Sequence, residues 1–408
     1  MAGSPGLTRR RLVAAAGGAA LAAEPGPASA GPTLVASQFG AVGDGSADDT
    51  GAIQAALDAA FGAAPGTLLI PPGTYRITRT IRVLMSAGMR GRSGVSARGA
   101  HFYSAIEDGG NVFEFVNRAE TRLVLIEGLD ILGSRRDGHG IYIESRTQPF
   151  ANFCVRDVVV QYCGGDGAHF VGNVSEGQVT NSYFRNNRGN GLTFSNGLPG
   201  GTVFAVHVFG CIFGENRRFG AALVNHCNDV AFHGCYFLTS GSYGLAADNG
   251  CTLLSNCGFE NNCQDVASFT SDNAGVYLRN FGTMVACMGY SMLKQAWLVR
   301  GELDGQLVMI GCSGFGSADA KEAGLARLAG GVAATATVIG CSGAVTCDDG
   351  FEAVEIGGPG AGLKFGADWR SPALPRLGDY RLWIDAHGRL RLKKGVPSSD
   401  EDGAIVGT

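Results

Sequence analysis

The sequence predicts an all-β protein: a single right-handed parallel β-helix with an N-terminal capping helix and a short C-terminal β-hairpin. Two observations carry this prediction, a strand motif that recurs about every 22 to 30 residues and a second short strand between its copies. A third is glycine, which supplies 65 of 408 residues without the G-X-Y period of collagen. Together they favour a turn-rich repeat fold that grows as one domain.

The first thirty residues have the composition of an export signal. Arg9, Arg10 and Arg11 precede a weakly apolar Ala/Gly run, and Ala28-Ser29-Ala30 offers a cleavage site, a pattern that resembles a twin-arginine signal. The alternative is an Ala-rich start with no targeting role. We expect an export signal at 1–30, a β-helix at 31–345, a last coil with a hairpin cap at 346–408, and a periplasmic or secreted location.

Charge and hydropathy exclude two classes of partner. Charged residues make up 17% of the chain and the net charge is −4, so no overall basic field favours nucleic acid. Beyond the first thirty residues, no run reaches the roughly 18 apolar residues that a membrane helix needs. We therefore expect neither nucleic-acid binding nor membrane insertion.

The N-terminal segment predicts a helix that covers one end of the β-helix. Asp49 or Thr50 can cap a helix whose apolar face is formed by the residues at 53, 56, 57 and 60. Such a helix shields apolar side chains and strand edges that would otherwise meet water.

The recurring motif predicts the core. In the segments 210–213, 234–237 and 256–259, a Gly or Asn precedes Cys, and Phe follows two residues later. Because side chains alternate along a strand, each Cys/Phe pair shares one face, which we interpret as the buried one. The cysteines then form a ladder of free thiols at 211, 235, 257, 287, 312 and 341. Pairing of Cys227 with Cys251, or of Cys347, stays an alternative.

The C-terminal residues predict an antiparallel hairpin. The segments 380–385 and 389–393 alternate polar and apolar residues around Asp385-Ala386-His387-Gly388.

A dense N-terminal signature carries a family resemblance. It consists of the segments 39–45, 48–50, 53–57 and 69–75. These residues resemble the pectate-lyase-like superfamily domain shared by rhamnogalacturonases and phage tailspike enzymes, closely over residues 34 to 85 and more loosely to about 345. The resemblance implies a β-helix that handles polysaccharide, and the C-terminal hairpin resembles those of tailspike-like proteins, which implies a homotrimer.

In enzymes of this fold, the site lies on the outer surface, where equivalent positions stack into columns. Tyr142, His169 and Thr193 form one predicted column, and a second column precedes a glycine in each repeat. A carboxylate one coil away can orient a histidine as a general base. The predicted catalytic residues are Asp166, His169 and His139, and the predicted substrate-binding residues are Arg136, Tyr142, Glu144, Arg185 and Asn190. The alternative is that Asp166 and Asn190 only satisfy turn backbone groups.

Other sites are less well supported by the sequence. Gly138-His139-Gly140 resembles a polygalacturonase motif, but the N-T-D and R-I-K segments of that family are absent. Glu215 and Asp229 offer a second carboxylate pair. No cofactor is predicted. Ca²⁺ bound through the aspartates at 44, 48 and 49 is the alternative, and the spacing of Cys and His does not match a zinc site.

The sequence thus predicts an exported enzyme, a lyase or glycoside hydrolase, that acts on an acidic polysaccharide such as pectin, rhamnogalacturonan or an exopolysaccharide. Two alternatives remain open. One is a non-catalytic glycan-binding or surface β-helix, and the other is a C5 epimerase of polymeric uronates.

Overall fold

Parallel strands wound into successive coils build the body of the protein. The computed structural model describes residues 32–62, 66–85, 93–248, 250–265, 273–290, 295–315, 324–330, 334–347, 352–356, 376–377, 380–385, 387, 389–399 and 401–405. The export signal predicted at 1–30 lies outside the described residues. Among the described residues, no helix is long and apolar enough to cross a membrane.

The strands fall into two long parallel sheets and one small antiparallel sheet. The first sheet contains Thr33–Val35, Thr67–Leu69, Ile81–Met85, Ser93–Ser96, Phe113–Asn117, Thr121–Arg122, Val124–Glu127, Ile141–Ala151, Cys154–Arg156, Ala168–Thr180, Leu192–Ser195, Thr202–Phe209, Ala221–Val224, Cys227–His233, Leu245–Ala247, Cys251–Ser255, Ala274–Arg279, Phe281–Val285, Trp297–Leu303, Gln306–Ile310, Gly324–Gly330, Thr335–Ile339, Val345–Cys347 and Glu352–Ile356. The second contains Asp44–Asp48, Gly73–Ile77, Ala100–Ser104, Asp130–Leu132, Val159–Gln161, Tyr183–Arg185, Ile212–Gly214, Tyr236–Leu238, Gly258–Glu260, Met288–Tyr290 and Ser313–Phe315. The third contains Arg376–Leu377, Tyr380–Ile384, Leu390–Lys394 and Ala404–Ile405.

Each coil presents three strand faces. The first sheet supplies two of them, because its strands pair in two parallel series: Leu192–Ser195 with Ala221–Val224, and Thr202–Phe209 with Cys227–His233. The second sheet supplies the third face, where Tyr183–Arg185 pairs with the next coil. We call the face that carries Leu192–Ser195 the first face. This architecture confirms the predicted parallel β-helix.

A left-handed turn explains the Gly or Asn that opens each repeat. The backbone φ is 48° at Asn181, 58° at Gly210, 59° at Gly234 and 51° at Asn256. Glycine adopts this conformation freely and asparagine tolerates it better than most residues. Backbone geometry therefore favours Gly or Asn before the cysteine, although Ala286 adopts a φ of 52° before Cys287.

The Cys/Phe pairs lie inside the coils, as predicted. The cysteines of the ladder are buried and free, and the thiols of Cys211, Cys235 and Cys257 each donate to a carbonyl of the preceding coil at 3.4 to 3.6 Å. The phenylalanines stack coil on coil, with ring centroids 4.9 Å apart between Phe213 and Phe237 and 4.7 Å between Phe237 and Phe259. Equivalent side chains of successive repeats therefore stack on one another in register.

The predicted N-terminal helix spans Thr50–Phe61 and buries its apolar face completely. Its start differs in detail from the prediction. Asp49 occupies the N-cap position, but its carboxylate accepts the backbone N–H groups of Val42 and Gly43. The N–H of Thr50 instead donates to the carboxylate of Asp48, at 3.1 Å. The Asp49 carboxylate therefore bonds to the nearby turn instead of capping the helix as the sequence predicts.

The C-terminal hairpin is also confirmed. Tyr380–Ile384 and Leu390–Lys394 pair antiparallel, and the buried carboxylate of Asp385 accepts hydrogen bonds from the Arg389 and Arg391 side chains.

Candidate active site

Two adjacent columns of side chains meet on the first face. Tyr142 pairs in register with His169, and His169 with Thr193. Their side chains therefore stand on one outward column at the spacing of about 4.8 Å between neighbouring strands. His139, Asp166 and Asn190 stand just before these strands, and the N–H of the glycine after His139 donates to the carbonyl of Asp166.

Asp166 is the hub of this cluster. One carboxylate oxygen, Oδ1, accepts the backbone N–H of Asn190 at 2.7 Å. The other, Oδ2, is 2.8 Å from both the Thr193 hydroxyl and the His169 Nδ1. Burial alone would raise the pKa of this carboxyl, but the hydrogen bond with His169 and the nearness of His139 outweigh burial and lower the pKa. Asp166 is therefore an anion at neutral pH.

The contact with Asp166 fixes the tautomer of His169. Since the carboxylate can only accept, the proton of His169 lies on Nδ1 and donates to Asp166. The Nε2 lone pair is then left free to accept a proton. The His169 side chain is 21% exposed, so a bound substrate can reach it.

His139 has the opposite tautomer. Its Nδ1 accepts the backbone N–H of Asp166 at 2.8 Å, so the proton of the neutral ring lies on Nε2. Burial lowers the pKa of His139 and so does neighbouring His169, against an opposing effect of Asp166. His139 is therefore a neutral hydrogen-bond donor beside His169.

Tyr142 completes an aromatic group around the two histidines. Its ring centroid lies 5.6 Å from that of His139 and 5.8 Å from that of His169. The hydroxyl donates to Glu144 at 3.3 Å, and burial together with this carboxylate raises the pKa of Tyr142 to about 12. The Nε of Arg146 lies 2.5 Å from Oε1 of Glu144, and this ion pair lowers the pKa of the Glu144 carboxyl. Tyr142 thus keeps its proton at neutral pH.

The structure separates the two predicted arginines from this cluster. Arg185 belongs to a strand of the second sheet, where it pairs with Glu215 at 3.3 Å. Glu215 follows a strand of that same sheet, whereas Asp229, its predicted carboxylate partner, belongs to the first sheet. Arg136 is 69% exposed and its guanidinium lies 3.5 Å from Glu107. Of the predicted site residues, those at 139, 142, 144, 166, 169 and 190 come together, and those at 136 and 185 pair elsewhere.

Two supporting residues lie outside the predicted set. Asn111 accepts the backbone N–H of His139 at 2.9 Å and donates to Glu114 at 3.2 Å. Thr193, predicted only as a member of the column, donates to Asp166 and accepts a hydrogen bond from the Asn190 amide. The sequence signal for Asn111 is its place 28 residues before His139, one coil earlier.

The cluster has the composition of a metal site, but several of its possible ligand atoms already make hydrogen bonds within the protein. Ligand atoms of His139, Asp166 and His169 all lie within 4.8 Å of one another. Both Nδ1 atoms and both Asp166 oxygens make the hydrogen bonds described above, so a cation bound through these atoms would have to displace those hydrogen bonds. At the predicted Ca²⁺ site, Asp44 accepts the N–H groups of Ser46 and Ala47, so its carboxylate acts in a turn.

Family comparisons agree with this architecture. A model described as a right handed beta helix region matches residues 115–284, and one described as capsule depolymerase matches residues 318–408. These matches and the fold bear out the predicted resemblance to right-handed parallel β-helix proteins.

Curated relatives match short stretches. The mannuronan C5-epimerase AlgE5 of Azotobacter vinelandii is 60% identical over 40 residues, which cover 10% of this chain and 4% of that protein. AlgE4 of the same organism is 32% identical over 124 residues, or 30% of this chain and 18% of AlgE4. The chain therefore matches less than a fifth of the length of either relative.

Solved structures share the fold at low sequence identity. ORF18 of Geobacillus virus E2 has a TM-score of 0.59 at 18% identity, over 92% of this chain and 75% of that one. PfbA, a surface adhesin of Streptococcus pneumoniae, has a TM-score of 0.51 at 12% identity, over 88% of this chain and 98% of PfbA. At these identities the likeness concerns fold alone.

Proposed function

We propose that this protein is an exported enzyme that acts on an acidic polysaccharide by removing the C5 proton of a uronate unit. The reaction is completed as β-elimination, the lyase reaction, or as C5 epimerisation. The single observation that carries the proposal is His169, held at Nδ1 by the Asp166 anion with Nε2 free on an outward face.

The chemistry follows from the protonation states of the cluster. The C5–H bond lies next to the uronate carboxyl, so its removal by His169 Nε2 leaves an enolate-like intermediate. The Nε2–H of His139 is a donor that can stabilise the developing negative charge. In elimination, the C4–O4 bond breaks as the C4–C5 double bond forms, and the leaving O4 takes a proton from Tyr142. In epimerisation, C5 takes a proton from solvent on the opposite face, and the proton on His169 Nε2 returns to solvent.

Hydrolysis fits the cluster less well. Glycoside hydrolysis needs one carboxylic acid that keeps its proton near neutral pH, beside a second carboxylate. The pKa values of Asp166 and Glu144 are both lowered, the second mainly by Arg146. Neither carboxyl is suited to donate a proton, so we favour C5 proton abstraction over hydrolysis.

The comparisons support the choice of substrate class. The capsule depolymerase model over residues 318–408 and the short matches to mannuronan C5-epimerases are consistent with a polysaccharide substrate. Export to the periplasm or the medium through a twin-arginine signal, and assembly as a homotrimer, remain parts of this proposal.

One observation favours the second candidate, a non-catalytic glycan-binding or surface protein. The column of Tyr142, His169 and Thr193 continues as Ala222 and Ala246 on the next two coils, so its polar groups are interrupted there and resume only at Tyr277. The adhesin PfbA has the same fold.

A panel of polyuronates incubated in D2O separates these functions. Elimination creates an unsaturated product that absorbs near 235 nm, whereas epimerisation places deuterium at C5 without new absorbance. Either result supports the proposal. Binding without absorbance, deuterium or new reducing ends would favour the non-catalytic alternative, and new reducing ends without absorbance would indicate hydrolysis.

A further inference from the structure

A cleft of about 390 Å³ adjoins the candidate active site, on the turns that lead into the first face. Its lining includes three arginines, Arg135, Arg188 and Arg217, and two acids, Glu215 and Asp265. None of these residues belongs to the cluster around Asp166.

Two of the arginines stand one above the other. The Asn216 side chain accepts the backbone N–H of Asn187 at 3.1 Å, because these asparagines occupy equivalent positions on neighbouring coils. Arg188 and Arg217 directly follow them, and the N–H of Arg217 donates to the carbonyl of Asn187 at 2.9 Å. Their backbones are therefore about one strand spacing, roughly 4.8 Å, apart.

Glycines occupy the positions on either side of Arg188 and Arg217 in this column. Gly164 precedes Arg188 by one coil, and Gly241 follows Arg217 by one coil. A Cβ at Gly241 would lie 2.0 Å from the Arg217 carbonyl oxygen, and one at Gly164 would lie 2.1 Å from that of Asp137. Close coil packing thus excludes larger residues at these two positions of the column.

The cleft carries uncompensated positive charge. Arg188 is exposed, and no described carboxylate lies within ion-pair distance of it. Arg217 is 72% exposed, and its contact with Asp265 is long, at 3.9 Å. Glu215, the other acid, already pairs with Arg185. An anion entering the cleft therefore meets two arginines from neighbouring coils, of which Arg217 has only the long contact with Asp265.

We propose that Arg188 and Arg217 form a subsite that binds carboxylates of an acidic polysaccharide. Arginine matches a carboxylate with paired hydrogen bonds. Arg188 lies two residues before Asn190, whose N–H holds Asp166, so a polymer at the cluster reaches the cleft within the same coil. The identity of the polymer rests on the proposed function, whereas the carboxylate preference rests on the cleft itself.

Equilibrium binding of polygalacturonate and alginate oligomers tests this subsite, with their carboxyl-reduced forms as neutral counterparts. We expect Arg188→Gln and Arg217→Gln each to weaken binding of the acidic oligomers severalfold, and the double variant by roughly tenfold or more. The double variant should also lose part of the salt dependence of binding. For a polymer that is turned over, KM should rise while kcat is kept.

The matched control is Arg122→Gln, an exposed arginine that pairs with Glu120 away from the first face. It should bind acidic oligomers as the wild type does. The subsite is refuted if the double variant binds acidic oligomers like Arg122→Gln, or if the carboxyl-reduced oligomers bind the wild type equally well. Arginine-dependent binding without turnover would contradict the proposed reaction and still support the subsite.

Discussion

Asp166 shows how coil stacking turns ordinary side chains into a site. Its hydrogen-bond partners His169, Asn190 and Thr193 come from its own coil and the next one. No linear motif links them, and they meet because equivalent strands stack in register. At the residue scale, therefore, the chemistry depends on the fold.

Removing either half of the His–Asp pair should abolish most turnover. We expect His169→Gln and Asp166→Asn each to lower kcat/KM by roughly 10²- to 10⁴-fold, the usual contribution of a positioned general base. Initial rates at 235 nm, or deuterium incorporation at C5, measure the effect.

The chain offers a matched control for that experiment. His101 and Asp130 form another His–Asp pair, with His101 Nδ1 and the Asp130 carboxylate 2.6 Å apart, on the second sheet. His101→Gln and Asp130→Asn should leave turnover unchanged. Equal losses in both pairs would mean that the substitutions act through general stability, and the assignment to Asp166 would fail.

The sequence predicts part of this site well. The repeat places Tyr142, His169 and Thr193 in one column because strand pairing preserves register from coil to coil. It does not identify Asn111 as the partner of the His139 backbone, since that contact depends on the path of a turn. It also does not separate Arg185 from the cluster, because face assignment needs the course of the whole coil.

At the scale of one element, the left-handed turn before each cysteine is under steric control. Nothing lies within 4 Å of a Cβ built at Gly234, so a side chain there costs only backbone strain. We expect Gly234→Ala to destabilise the protein by about 1 to 2 kcal/mol, and Gly234→Asn by clearly less, since the short polar side chain of asparagine tolerates the left-handed region better than alanine does. Urea unfolding of the two variants checks this order. Equal stabilities would contradict the steric explanation.

Strand lengths mark the limit of prediction at this scale. The motif predicts strands of four or five residues, yet Ile141–Ala151 has 11 residues and Ala168–Thr180 has 13. The longer strand contains Gly172 and Glu176, with φ of 100° and 52°, which let it bend from the first face to the next. From the sequence alone, such a bend is predicted as the end of a strand, because a glycine indicates a turn whether the strand ends or only bends there.

At the scale of the whole molecule, the thiol ladder runs through the coils. The structure shows no disulfide among the eleven cysteines with described thiols, out of twelve in the chain. Contact with the neighbouring thiol and burial raise the pKa of Cys235, Cys257 and Cys287 to about 12. Because the thiolate is the reactive form, these cysteines should resist alkylation in the folded protein.

A thiol titration without reductant tests this expectation. Cys154 and Cys347, which are partly exposed, should react first in the native protein. After denaturation, at least these eleven thiols should titrate. Six disulfides, or rapid reaction of the ladder in the folded state, would refute the ladder as a core of reduced cysteines.

The most direct test of the account is ¹⁵N NMR of the histidine side chains at neutral pH, with His139→Gln and His169→Gln to assign the signals. The structure predicts the proton of His169 on Nδ1, the proton of His139 on Nε2, and titration of His139 below its usual pKa of 6.5. Asp166→Asn should remove the Nδ1–H preference of His169. If His169 instead carries its proton on Nε2, it has no free lone pair toward substrate, and the proposed base is wrong.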